Sequence, residues 1–195
     1  EDSKYIDNNY TWANNIGVSS AYLKTVTNYP ENPSALYTKA DGIWYRLTGS
    51  SAAVCSFQGG LSGSVTVPAS VEYEGKQYAV TALDEFAFCE LDEITSLTLP
   101  EGLKTMGRYA VLKLHGLQQL SLPASLEKLE ELSVFSLLSL QSVSYAGTKE
   151  QWSEVEKPAS RPGDTWINGV QTTISFTCEG GTLTEAEWRG NVPEA

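Results

Sequence analysis

Apolar residues return every 23 positions along the middle of the chain, as in Leu97, Leu120 and Val143 or Leu99, Leu122 and Tyr145. Ile94, Leu117 and Leu140 keep the interval, as do Met106 with Leu129, Leu114 with Leu137 and Pro100 with Pro123. Several apolar slots in register without a gap signify stacked copies of one supersecondary unit. Inside each copy two periodicities follow one another. Leu97-Thr98-Leu99 and Leu120-Ser121-Leu122 alternate, so each predicts a short strand with one buried face that ends at a proline. Leu103, Met106, Ala110, Val111, Leu114 and Leu117 then recur in steps of three and four. That spacing predicts a helical turn or loose coil lying on the strand. Equivalent strands must stack in parallel, and about three copies are needed to bury a common core.

The flanks lack the period. Residues 1–35 are polar, and Asn28-Tyr29-Pro30-Glu31-Asn32-Pro33 reads as a linker. Residues 19–27 fit a short helix or a strand. Ile43, Tyr45 and Leu47 alternate, as do Ala53, Cys55 and Phe57, with Gly49-Ser50-Ser51 between them. This predicts a hairpin that caps the first coil. The first coil opens at Val65-Thr66-Val67-Pro68 and carries extra residues near 72–79, where Glu74-Gly75 suggests a second hairpin. After Val143-Ser144-Tyr145, residues 149–156 predict a short helix, with Thr148 as N-cap and Gln151 three residues on. Ile174 and Phe176 mark a last strand over 173–177, and residues 180–195 read as a loosely held end.

Charge narrows the function classes. The 195-residue chain has a formal net charge of −11. Nucleic acid and anionic membrane are therefore disfavoured as partners, because both require a basic stripe. No apolar run reaches the length of a membrane helix, about 18 residues. The sequence opens on Glu1-Asp2-Ser3-Lys4 rather than on a basic-then-apolar run, which leaves a cytosolic protein and a processed secreted one both open. Cys55, Cys89 and Cys178 match no zinc spacing and read as small buried apolar residues.

Several residues carry a specific resemblance. The run LTLPEGLKTMGRYA (97–110) resembles the strand-Pro-x-x-Val-x-x-Ile-Gly-x-x-Ala-Phe unit of BspA-type leucine-rich repeats. LSLPASLEKLEELSVF (120–135) is a more divergent copy. VTVPASVEYEGKQYAVTALDEFAF (65–88) resembles the opening repeat with its hairpin, and YAGTKEQW (145–152) the run that closes such arrays. The resemblance covers about residues 42–178. Leu91, Leu114 and Leu137 stand where that family often has cysteine, so Cys89 is not its equivalent. Such proteins are mostly secreted or surface-attached in anaerobic gut and oral bacteria, where they are linked to adhesion. The resemblance thus implies a cleaved leader, a lipid anchor upstream of residue 1 being one form, with residues 1–35 as a tether.

Chemistry is sparse. His115 is the only histidine, no nucleophile-elbow motif accompanies it, and it reads as a coil-turn residue. The carboxylates at Asp84-Glu85, Glu90-Asp92-Glu93, Glu127-Glu130-Glu131 and Glu150-Glu154-Glu156 match neither a calcium loop nor a glycosidase pair, and read as solvated faces. No phosphate loop or dinucleotide fingerprint is present, so no cofactor and no metal is expected. Thr66, Thr98, Ser121 and Ser144 share one outward strand slot, and Ser64, Ser96, Gln119 and Ser142 its neighbour. They form a candidate binding face. Trp44, Tyr45, Tyr73 and Tyr78 form an alternative aromatic site, although cap aromatics also seal a stack.

The expected fold is α/β: a short right-handed leucine-rich-repeat solenoid with parallel strands at a 23-residue period and β-rich caps at both ends. The expected layout is a polar extension or tether (1–35), an N-terminal β cap (36–64), repeats (65–145) and a C-terminal cap and tail (146–195). The expected function is a secreted or cell-surface adhesion module, without catalysis, that contacts a host extracellular protein or glycan. The alternatives are a glycan-binding accessory of a carbohydrate-uptake system and a passive spacer.

Overall fold

The computed structural model describes residues 36–55, 60–158, 165–170 and 174–190. The expected extension, linker and short element within 1–35 lie outside them. The chain divides into Glu1–Leu36 and Tyr37–Ala195, and the architecture below is that of the second unit. Its N-terminal strands are β1 (Leu36–Ala40), β2 (Ile43–Thr48) and β3 (Ser51–Val54). Next come β4 (Gly63–Thr66), β5 (Ser70–Tyr73), β6 (Lys76–Leu83), β7 (Phe88–Cys89), β8 (Ile94–Thr98) and β9 (Thr105–Met106). The middle of the array holds β10 (Val111–Leu112), β11 (Gln119–Leu122), β12 (Lys128–Leu129), β13 (Val134–Phe135) and β14 (Ser142–Thr148). The chain then forms helix α1 (Lys149–Glu154), β15 (Ile167–Asn168), β16 (Ser175–Glu179), β17 (Gly181–Leu183) and helix α2 (Glu185–Arg189).

Each turn of the chain visits three sheets in the same order. One sheet runs β1-β2-β3-β6-β9-β12 with β5 beside β6, the second β15-β13-β10-β7, and the third β17-β16-β14-β11-β8-β4. Pairing between turns is parallel: Val111 faces Phe88 and Val134, and Gln119 faces Ser96 and Ser142. The inward residues form three apolar columns: Val65, Leu97, Leu120, Val143 and Phe176; Leu83, Met106 and Leu129; Phe88, Val111, Val134 and Ile167. All of them are buried. Each such side chain contributes about 1.5–3 kcal/mol relative to exposure.

Of the two forms expected between successive strands, a helical turn or a loose coil, the helical turn is absent among the described residues. The steps of three and four fall instead on the two-residue strands β9, β10, β12 and β13. The reason lies in the backbone. Phe86, Tyr109 and Leu132 have φ of 59°, 56° and 53°, and Glu90, Lys113 and Ser136 have 54°, 51° and 59°. Left-handed residues four apart break a right-handed helix and turn two sharp corners around β7, β10 and β13. The described fold is therefore β-rich, with its only described helices, α1 and α2, in the C-terminal region.

Both hairpins are present. Thr48 pairs with Ser51 around Gly49-Ser50, and Tyr73 pairs with Lys76 around Glu74-Gly75. Positive φ at Glu74 (51°) and Gly75 (76°) suits the primed turn that joins twisted strands. Arg46 on β2 grips Asp84 through two bonds, Nε to Oδ2 at 2.9 Å and an η nitrogen to Oδ1 at 2.8 Å. This fixes the N-terminal hairpin to the first coil.

The C-terminal end differs from expectation. Residues 181–189 form β17 and α2, and Trp188 is buried. β16 is therefore not the final strand, and residues 191–195 lie outside the described set. Tyr145, Trp152, Trp166, Phe176 and Trp188 form a chain of ring contacts, with centroids 4.7–6.4 Å apart, over this end of the core.

Candidate functional site

The third sheet brings the hydroxyl-bearing residues into two rows. Thr66, Thr98, Ser121 and Ser144 are successive register partners, and the row continues through Thr177 to Thr182. The second row is Ser64, Ser96, Gln119, Ser142 and Ser175. Their chain neighbours Val65, Leu97, Leu120, Val143 and Phe176 point into the core, so the pleat turns both rows outward. Every row member is exposed or half-buried. The Ser144 hydroxyl donates to Ser121 Oγ at 3.0 Å, which leaves the remaining hydrogen-bonding capacity of both groups to solvent or a ligand.

Ser175, Thr177 and Thr182 escape the sequence reading. Ser142 pairs with Ser175, so an insertion holding α1 has displaced the strand from the 23-residue step. A signal was available: Ser175-Phe176-Thr177 repeats the form of Ser64-Val65-Thr66 and Ser96-Leu97-Thr98.

Neither row holds a charged residue, although the chain carries a net charge of −11. Charges lie elsewhere and pair between coils. Lys104 meets Glu127 at 2.8 Å, Lys113 meets Glu90 at 3.3 Å and Arg108 meets Glu131 at 3.5 Å. Lys128 reaches Glu156 of the next coil at 3.2 Å and Glu130 of its own coil at 3.1 Å. Several carboxylates read as merely solvated are thus inter-coil partners.

The aromatic alternative is not assembled as one platform. Tyr45 is fully buried and Tyr78 nearly so, so neither ring can lie flat on a sugar. Both face inward because β2 and β6 alternate with the apolar core. Trp44 and Tyr73 are half-buried, and Lys39 Nζ lies 5.6 Å from the Trp44 ring centroid.

His115 sits in the corner before β11. Asp92 Oδ1 accepts its backbone N–H at 3.0 Å and lies 2.9 Å from its Nδ1. Cys55, Cys89 and Cys178 carry thiols rather than a disulfide. Burial pushes the Cys55 thiol up to about 12 and raises that of Cys89, which suppresses thiolate chemistry at both. Among the described residues no group of three His, Cys, Asp or Glu side chains could hold a metal ion, and no helix is long and apolar enough to cross a membrane.

Solved structures share this architecture. A leucine-rich repeat protein from Bacteroides capillosus ATCC 29799 superposes with a TM-score of 0.58 at 25% identity, over 74% of this chain and 99% of that one. The fold is a leucine-rich repeat fold. A second leucine-rich repeat protein, from Bacteroides ovatus ATCC 8483, gives a TM-score of 0.51 at 17% identity. That match covers 72% of this chain and 37% of that one. No protein-family model and no curated protein matches the chain.

Proposed function

We propose that this leucine-rich repeat chain is a BspA-type binding module of the bacterial cell surface. It is secreted or displayed, contacts an extracellular host protein or a glycan, and performs no chemistry of its own. The observation that carries this reading is the pair of uncharged hydroxyl and amide rows crossing the third sheet of a strongly acidic chain. A face of this kind recognises its partner by hydrogen bonds and shape rather than by charge. Each contact is shallow, so affinity is modest and display in many copies supplies avidity.

The test is an array of extracellular-matrix proteins and neutral glycans, probed with the multivalent wild type and with Thr98→Lys/Ser144→Lys. Both substitutions lie at outward positions and leave the core intact. Wild type should bind with little change when salt is raised, since no charge on the face is there to be screened. The double variant should lose about tenfold or more, because docking would bury an unpaired ammonium. Undiminished binding by the double variant removes this face from the account.

A further inference from the structure

Between α1 and α2 lies a cleft of about 190 Å³, lined in part by Lys149, Trp152, Lys157, Leu183, Ala186 and Glu187. It is comparable to cavities of ~150 Å³ that accept a benzene-sized guest. Its two ammonium groups differ. Lys149 is in direct contact with Glu187. Lys157 has no carboxylate partner among the described residues. Its Nζ donates to the carbonyls of Trp152 at 2.6 Å and Val155 at 3.0 Å, and lies 4.5 Å from the centroid of the Trp152 ring. An ammonium has three N–H donors, so one is left over.

The Lys157 stem packs closely on Gly190, where a Cβ would stand 2.9 Å from Lys157 Cδ. The surplus Lys157 N–H, beside the apolar side chains of Leu183 and Ala186, calls for a guest that brings an acceptor and a short apolar body. With Lys149 paired to Glu187, the charge left over in the cleft is the Lys157 ammonium, which selects an anion.

We propose that this cleft binds a small monocarboxylate, with its head on Lys157 Nζ and its chain against Leu183 and Ala186. The site stands apart from the hydroxyl rows and does not depend on them. Burial holds the Lys157 amine down at about 8, and a bound carboxylate raises it again by compensating the lost hydration.

The experiment titrates the 15N-labelled full chain with sodium butyrate, using n-butylammonium and n-butanol as probes of similar size. Butyrate should shift the Trp152 indole and Gly190 amide signals saturably, with a Kd of about 1 to 10 mM, as suits so few atoms. The other two probes should not. Lys157→Met keeps the apolar stem and should weaken butyrate about tenfold or more. The Trp166 indole N–H, which donates to Trp188 O at 2.9 Å, reports whether the cap stays folded in that variant. Ala186→Phe, at an exposed position of α2, keeps Lys157 and should weaken butyrate by filling the apolar wall. The proposal is overturned if butyrate gives no saturable shift, if n-butylammonium or n-butanol matches it, or if both folded variants bind like wild type.

Discussion

Ser136 holds a left-handed conformation, φ 59°, at the corner after β13, and the residue that follows the paired Asn168 in the next coil is Gly169, φ 65°. A side chain there costs the backbone about 1 kcal/mol that glycine avoids. Ser136→Gly should therefore raise thermal stability by up to about 1 kcal/mol, read as a higher Tm at unchanged fold; a lower Tm would show that the corner is not strained. Corners like this explain why the 105–112 stretch misleads. Its apolar spacing fits a helix, but spacing carries no information on the sign of φ, and Tyr109 and Lys113 are not residues that announce a left-handed turn. The charges were half legible for a similar reason. Lys104 and Glu127, Arg108 and Glu131, and Glu90 and Lys113 are each 23 apart, so the repeat itself pairs them once it is applied to charges as well as to apolar residues. Exposed pairs of this kind contribute under about 1 kcal/mol each, so they tune register rather than hold the fold.

Among the elements, α1 was the most readable. Thr148 and Gln151 form a reciprocal capping box, Thr148 N to Gln151 Oε1 at 2.8 Å and Gln151 N to Thr148 Oγ1 at 3.3 Å, and that motif depends on local spacing alone. The strand–helix pair β17–α2 was not readable, because Gly180-Gly181 suggested an open end and the burial of Trp188 is set by distant rings. Glu187 joins the two helices through its contact with Lys149, and its other oxygen accepts the Thr184 N–H at 2.8 Å. The Lys149 bond foremost, then the Thr184 N–H, hold the Glu187 carboxyl down at about 2, from an ordinary 4.5. A depressed folded-state value means the stabilisation is complete above about 4.5 and is lost as pH falls through about 2. Near-UV dichroism of the tryptophan cluster should therefore show wild type losing more cap stability over that window than Glu187→Gln. Equal losses would mean that Glu187 does not tie the helices together.

At the scale of the whole molecule, the account rests on coils stacked so that one uncharged face runs across the third sheet. Parallel stacking and the core columns were legible because an apolar repeat registers directly as burial. The length of the rows was only partly legible, since the insertion between Ser142 and Ser175 hid Ser175, Thr177 and Thr182 from a search at fixed period. The measurement that tests this arrangement most directly is the distance between spin labels at Thr66 and Thr177, with Cys55, Cys89 and Cys178 replaced by Ala. The register runs Thr66, Thr98, Ser121, Ser144, Thr177, so four strand steps separate the labels. The account predicts one narrow distribution near ~19 Å between the labelled backbone positions, broadened only by the label arms. A distribution centred well beyond ~30 Å, or one without a defined maximum, would contradict the stacked face and with it the proposed binding role.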